Sequence, residues 1–496
     1  MGEPVDHDVV VVGGGPVGLM TACELALAGV RVAVVERRTD VDPTIKAIGL
    51  HIPSVEAFQR RGLLPALLDA QRRQAQELLA ALPRRADLAR VPMSSGIAGH
   101  FAGITVPRAL VDYADPDFGA AWSRDMMPVS QQALEAILAE RAAALGAELR
   151  QGAEMVKFAD DGEGVDVEFD SGERWRCAWL VGADGGRSAV RRGAGFDFPG
   201  TDPEITGHQA VVEFADPEVL TPGWNRTENG IYVYTPLPGR ILTVEMDGPP
   251  ADRHTPVTHA ELQESVRRVS KTDVTITSVR SATRFTDHAR QASTYVRGRV
   301  VLAGDAAHVH SPFGGQGLNL GLGDALNLGW KLAATVRGWA PAGLLDTYTR
   351  ERHPVGAWVL DWTRAQIALM RLDPLTESLR RIVGDLVATP SGATYMAKKL
   401  SGVLQQYDLP GDHPLVGRSV PDPDGRVAEA LQTGRAVLTG PAPLAGAVAA
   451  RAGRLVHVES DTPMLVRPDG YVAWAGTAPG DTAGLEEATR RWLGDS

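Results

Sequence analysis

The chain of 496 residues has two cysteines, Cys23 and Cys177. Neither sits in a CxxC pair or a Cys/His cluster, which excludes a disulfide framework and leaves no set of ligands for structural zinc. Long apolar runs are also missing. None reaches about 18 residues, so no membrane-spanning helix is expected. The opening stretch MGEPVDHD is acidic and lacks the basic segment of a secretory signal. A cytoplasmic location follows as the expectation. There is no surplus of positive charge: 50 basic residues face 61 acidic ones, a net charge of −11. That balance speaks against nucleic acid or an anionic membrane as partners.

The chain is not short of apolar residues. At 44% hydrophobic it can bury a large core, and its length suits about two to four domains. Its first forty residues read strand, tight turn, helix, strand. Val9 to Val12 form a β-branched run. Gly13, Gly15 and Gly18 follow in the spacing G-x-G-x-x-G. A helix is predicted from Pro16 to about Ala28, with Gly29 as its cap, and a second apolar strand ends in Glu36. Each glycine has a mechanical reason: Gly13 for the turn, Gly15 for close approach of a pyrophosphate, Gly18 for helix–strand packing. The helix N-terminus offers free N–H groups to phosphate. Glu36 is placed to accept from a ribose hydroxyl, and its charge disfavours a 2′-phosphate.

A second glycine-rich stretch, VLAGDAAHVHSPFGGQGLNLG (Val301–Gly321), separates FAD from NAD. An apolar strand ends in Gly304-Asp305, where a carboxylate can hold the ribityl chain that only FAD carries. A long helix is predicted from about Gly317 to Val336. Its first amides, near Gly317, Leu318 and Asn319, would face the pyrimidine edge of an isoalloxazine and favour the reduced anion. Gly314 and Gly315 leave space over the ring, and Pro312 stiffens the approach.

A third stretch, LVGADGGRSAVRRGAGFDFPGT, carries Asp184-Gly185. With G-x-G-x-x-G and G-D it resembles the single-component (class A) FAD monooxygenases typified by para-hydroxybenzoate hydroxylase. GHFAGI, GFDFPGT, HPLVGR and VRPDGYVAWAG are similar to the branch that oxygenates angucycline and anthracycline polyketides. The resemblance implies that Gly13, Gly15, Val17, Gly18, Glu36 and Arg37 hold the ADP half of FAD, with Gln131 and Val156 contributing contacts. Asp305 would bind the ribityl chain, and Leu318 and Asn319 the flavin edge. Asp184 would serve both FAD and NAD(P)H, or simply make an Asp-Gly turn. Lys46 stands where the family usually has arginine; it keeps the charge and loses the planar fork. Pro53 replaces a second family arginine. The stretch from about Leu82 to Ala98 looks like an insertion.

The expected fold class is α/β: a Rossmann-type (GR2-like) FAD domain, a β-sheet substrate domain and a C-terminal thioredoxin-like domain. The FAD domain is expected to be discontinuous, 1–185 with 275–400. Residues 186–274 are read as the substrate wall, with Trp224, Tyr232, Tyr234 and Met246 as pocket candidates or as core. Residues 409–496 form the last domain; without cysteine it can do no thiol chemistry, and a structural or dimer-facing role makes a homodimer an expected partner. By resemblance, NADPH or NADH reduces FAD, O2 adds to give a C4a-hydroperoxide, and oxygen passes to a polycyclic aromatic polyketide. No catalytic side chain is assigned; His51, His308 and His310 are read as structural. Baeyer–Villiger insertion on a ketone or quinone, and a non-oxygenating flavin reductase or binding protein, stay open as alternatives. No metal is expected.

Overall fold

The structure is a computed structural model and describes residues 5–42, 44, 46–47, 49–80, 96–119, 126–236, 238–252, 255–442, 444, 451, 453–478 and 481–495. Most of the stretch read as an insertion lies outside the described residues. The first architectural unit is an eight-stranded sheet. Its parallel core runs, in spatial order, Val300–Leu302, Arg174–Gly182, His7–Val12, Val32–Glu36 and Glu148–Gln151. The β-branched run Val9–Val11 is fully buried, as a strand covered on both faces must be. Chain order reverses on either side of His7–Val12. This leaves a crevice beyond its C-terminal end, where open α/β sheets bind their ligands.

Helix Pro16–Leu27 packs on that strand and against helices Gln131–Ala144 and Gln316–Val336. The crossing with Gln316–Val336 is close because two glycines line it. A Cβ on Gly321 would lie 2.5 Å from a Val17 methyl, and one on Gly329 would lie 2.3 Å from Glu24 Cβ. Both cysteines are buried in this layer, and burial pushes each thiol up to about 12, which leaves them inert as nucleophiles.

The second unit is a five-stranded antiparallel sheet ordered Gly223–Thr227, Gly230–Thr235, Arg240–Glu245, Thr206–Phe214, Ile276–Phe285. Its last strand lies beyond residue 274, in the part of the chain assigned above to the FAD domain. It pairs with Thr206–Phe214, so the sheet takes four strands from before helix His259–Ser270, which backs it, and one from after it. The other face of the sheet meets helix Asp346–Met370 and the hairpin Ile97–Phe101/Ile104–Pro107.

The C-terminal unit has four strands in the order Leu455–Glu459, Ala436–Gly440, Met464–Val466, Val472–Ala475. The first pair is parallel and the others are antiparallel, with helices Arg426–Leu431 and Leu485–Leu493 completing the layer. Buried charges dock it on the flavin domain. Arg61 makes two bonds to Glu24 (2.6 and 2.7 Å) and also donates to the carbonyls of Leu431 and Pro468. Nearby, Glu351 accepts from Lys331 (2.9 Å) and twice from Arg467 (2.9 and 2.8 Å), with Asp469 against the same guanidinium.

Candidate active site

The fingerprint turn has the division of labour that its spacing implies. Gly13 has φ +110°, and a Cβ there would lie 2.3 Å from the Ala183 carbonyl oxygen. A Cβ on Gly18 would lie 2.0 Å from the Gly13 carbonyl oxygen. Gly15 differs: a Cβ there meets nothing within 4 Å, so its surface opens on free space at the helix start. Glu36 accepts from the N–H of Gly14 (2.7 Å) and of Arg38 (3.0 Å). One oxygen engages each donor, and further lone pairs remain for ribose hydroxyls.

The cation positions beside this turn are partly committed. Lys46 Nζ lies 2.8 Å from Asp42 Oδ2, and Arg38 pairs with the same carboxylate. Burial raises the Asp42 carboxyl, but hydrogen bonds from Lys46, Thr44 and Arg38 outweigh it and hold the group well below the usual carboxylate range. Arg37 is mostly exposed, 3.9 Å from Glu154. Gln131 donates to Glu135 (2.8 Å) at the start of its helix. Its neighbour Gln132, which sequence reading missed, ties down the carbonyls of Asp42 and Thr44. Val156 is 53% exposed, at a register shift between Met155 and Lys157.

Asp184 is half structural. Its Oδ2 accepts from the N–H of Ala189 (2.6 Å) and Val190 (3.1 Å), capping the helix Ala189–Gly193. Its Oδ1 is buried with no partner, beside the Gly13 turn. An orphaned carboxylate oxygen there has capacity for a ligand hydroxyl or amide.

At the second glycine-rich stretch the strand Val300–Leu302 ends in a tight turn, Gly304–Ala306, with Asp305 exposed at its tip. The turn is held from below. Asp324 accepts from Gly304 N–H (3.0 Å), pairs with His308 Nε2 (2.6 Å) and takes Arg352 Nε (2.7 Å). Burial raises the Asp324 carboxyl, but His308 and Arg352 prevail and keep it low. His308 is thus structural, as expected, through a partner that the sequence did not reveal. Helix Gln316–Val336 starts after Gly314 and Gly315, both left-handed (φ +87° and +63°). Pro312 is exposed, and its carbonyl accepts from Gly315 N–H. Asn319 accepts from His51 N–H (2.7 Å) and donates to the Gly315 carbonyl (3.2 Å), clamping the loop before Pro53 against the helix start. Burial pulls the His51 imidazole down to about 4, so it stays neutral at neutral pH.

Of the four pocket candidates, two stand on the flavin side. Trp224 and Met246 pack on the cluster containing Phe101, Phe313 and Trp362. Trp224 lies 4.6 Å from the His100 ring and 6.1 Å from Phe313, ring centre to ring centre. Tyr232 and Tyr234 do not face the cleft. They are 5% and 3% exposed and belong to the core beneath helix His259–Ser270. The reason is the two-residue period of the strand: Ile231 and Val233 take the flavin-side face, so the tyrosines take the other. Sequence reading also missed Phe101, Phe285, Phe313, Trp358 and Trp362, which pack with Trp224 into one aromatic cluster, the candidate substrate wall. The signal available was the spacing of Trp358 and Trp362, four residues apart on one helix face. His100 and Trp362 each carry a buried ring nitrogen without a partner, and burial draws His100 down to about 4.

An open Gly15, an orphaned Asp184 oxygen, Glu36 at its strand end and a glycine-flanked helix start fit FAD. No group of histidine, cysteine and carboxylate side chains suited to a metal occurs among the described residues. No helix among them is long and apolar enough to cross a membrane.

Comparison with known proteins agrees with this geometry. Residues 6–363 match the family described as "FAD binding domain", and residues 413–496 match "Aromatic-ring hydroxylase, C-terminal". A rifampicin monooxygenase of Streptomyces venezuelae is 40% identical, over 95% of each chain. The solved structure of the OxyS anhydrotetracycline hydroxylase from Streptomyces rimosus superposes with a TM-score of 0.85 at 37% identity, covering 99% of both chains. A dialkyldecalin synthase of Streptomyces rugosporus is 36% identical over 98% of each chain. On these matches and on the cradle that carries them, the chain belongs to the FAD-dependent monooxygenases of the aromatic-ring hydroxylase family.

Proposed function

We propose that this enzyme hydroxylates a polycyclic aromatic polyketide, with NADPH or NADH as electron donor and O2 as the oxygen source, in the cytoplasm. One observation carries the reading: the aromatic wall of Trp224, Phe313 and Trp362 adjoins the Pro312–Gly315 turn at the start of the flavin helix. A flat, apolar, multi-ring substrate matches such a wall by area and by ring–ring contact. The names of the relatives, which concern tetracycline and rifamycin compounds, point the same way.

The chain's own residues divide the work. Gly15 and the N-terminus of helix Pro16–Leu27 hold the pyrophosphate. Glu36 accepts from the adenosine ribose, and Asp305 from the ribityl hydroxyls. The amides of Gly317, Leu318 and Asn319 stabilise negative charge on the pyrimidine edge. Asp324 fixes the Asp305 turn through Gly304 N–H. FAD, when bound there, would supply the electrons that activate O2. The aromatic wall keeps water from the reacting face, and neutral His100 is available to accept a phenolic proton there.

Incubation with NADPH, heavy-isotope O2 and a panel of tetracyclic quinones and phenols, read by product mass spectrometry, tests this. One labelled oxygen on a ring carbon, with the carbon skeleton intact, is the expected result. A ring-expanded lactone would instead mean Baeyer–Villiger insertion. NADPH consumption with no oxygen in any product, or conversion of the substrate without gain of oxygen, would overturn the reading.

A further inference from the structure

Helix Pro374–Val387 turns an apolar stripe outward. Leu375, Leu379, Ile382 and Leu386 are 84, 53, 59 and 61% exposed. Their spacing is four, three, four, the seam of a two-stranded coiled coil. The opposite face is already used: Val387 is buried, Val383 packs into the cleft cluster, and Arg380 donates to the carbonyls of Ala102 and Leu369. The helix is anchored in the protein by one face and presents a second seam to solvent. Tyr395, on the next helix, adds a 51% exposed ring beside it.

We infer that this stripe is the interface of a homodimer, with the same helix of a second copy as its occupant. Four such side chains expose roughly 500 Å² per chain, so two copies closing on one another remove roughly 1,000 Å², the lower bound of a specific interface, before Tyr395 and the rim are counted. A lone patch of this size is at the upper end for a monomer. A 4-3-4 seam asks for a helix bearing the same seam, and a second copy supplies one by symmetry. A two-fold axis running across the helix would pair the two copies antiparallel. The dimer-facing role expected of residues 409–496 passes to helix Pro374–Val387. Because Arg380 and Val383 on its inner face hold the hairpin that lines the cleft, a second copy would brace the outer wall of the active site.

Sedimentation of the FAD-loaded full chain at tens of micromolar tests this. Wild type should run at twice the 52.8 kDa chain mass. The double variant Leu379→Glu/Ile382→Glu should run as a monomer, with self-association weakened at least about a hundredfold and flavin content and circular dichroism unchanged. Both sites are exposed, so the fold tolerates the change. Leu375→Glu alone gives an independent, smaller shift in the same direction. A monomeric wild type overturns the inference, whether or not it binds lipid vesicles or another protein. So does a double variant that stays dimeric.

Discussion

The flavin cradle and the substrate wall are built on opposite principles. The cradle is mostly backbone: Gly13, Gly15, Gly18, Gly304, Gly314 and Gly315 set it, and they fall in two short stretches of the chain. The wall is side chains from four distant segments: Phe101, Trp224, Phe313 and Trp362 meet only when the chain is folded. At Gly13 and Gly18 the backbone cradle leaves no room for an added atom, whereas a wall of side chains can be reshaped ring by ring. That contrast explains how relatives named for different compounds share one cofactor domain.

The sharpest break of the contrast is inside the cradle. Gly18→Ala places a methyl 2.0 Å from a backbone oxygen, and we expect a loss of more than about 4 kcal/mol, seen as failure to purify folded protein. Gly15→Ala meets no atom within 4 Å and needs no unusual φ. It should keep its melting temperature without ligand and lose FAD affinity at least about tenfold by fluorescence titration. Equal damage from both would mean that Gly15 does not face the cofactor.

Acid comes next, and it touches both regions. His51 and His100 have folded values near 4 against an ordinary 6.5, because burial disfavours the charged ring. The unfolded chain therefore binds more protons between pH 6.5 and 4. Stability is complete above that window and falls as pH drops through it, by roughly 3 kcal/mol per imidazole at most. Chemical denaturation at pH 7 and 4.5 should show the loss. His51→Gln should reduce it and shift FAD binding, whereas His100→Gln should reduce it and shift substrate KM.

Trp224→Ala is smaller and confined to the wall: KM for a polycyclic substrate should rise about tenfold, roughly 1.4 kcal/mol, with FAD retention unchanged. The smallest effect is expected for Tyr232→Phe and Tyr234→Phe. Both rings lie on the far face of the sheet, so KM should stay put and stability should move by no more than about 0.5 kcal/mol. A tenfold KM change in either would return the tyrosines to the pocket.

The cradle was legible because its signal is local. Gly13, Glu36 and Gly304 stand where spacing put them, and the flavin helix starts within one residue of the expected Gly317. The wall was legible only by half. Alternation in Gly230–Thr235 was visible, but the face that turned inward depended on helix His259–Ser270, and no local pattern shows that. Nor did local pattern show Asp324, Arg352 or Lys331. Each is buried by partners from another segment of the chain: Asp324 pairs with His308 and Arg352, and Lys331 with Glu351.

The most direct test of the account is the flavin content of purified wild type and Asp305→Ala, read as visible absorbance per chain. The account predicts a yellow wild type holding close to one FAD per chain, and a variant that loses most of its colour on gel filtration. A variant as yellow as wild type, or a wild type that stays colourless with excess FAD, would contradict it.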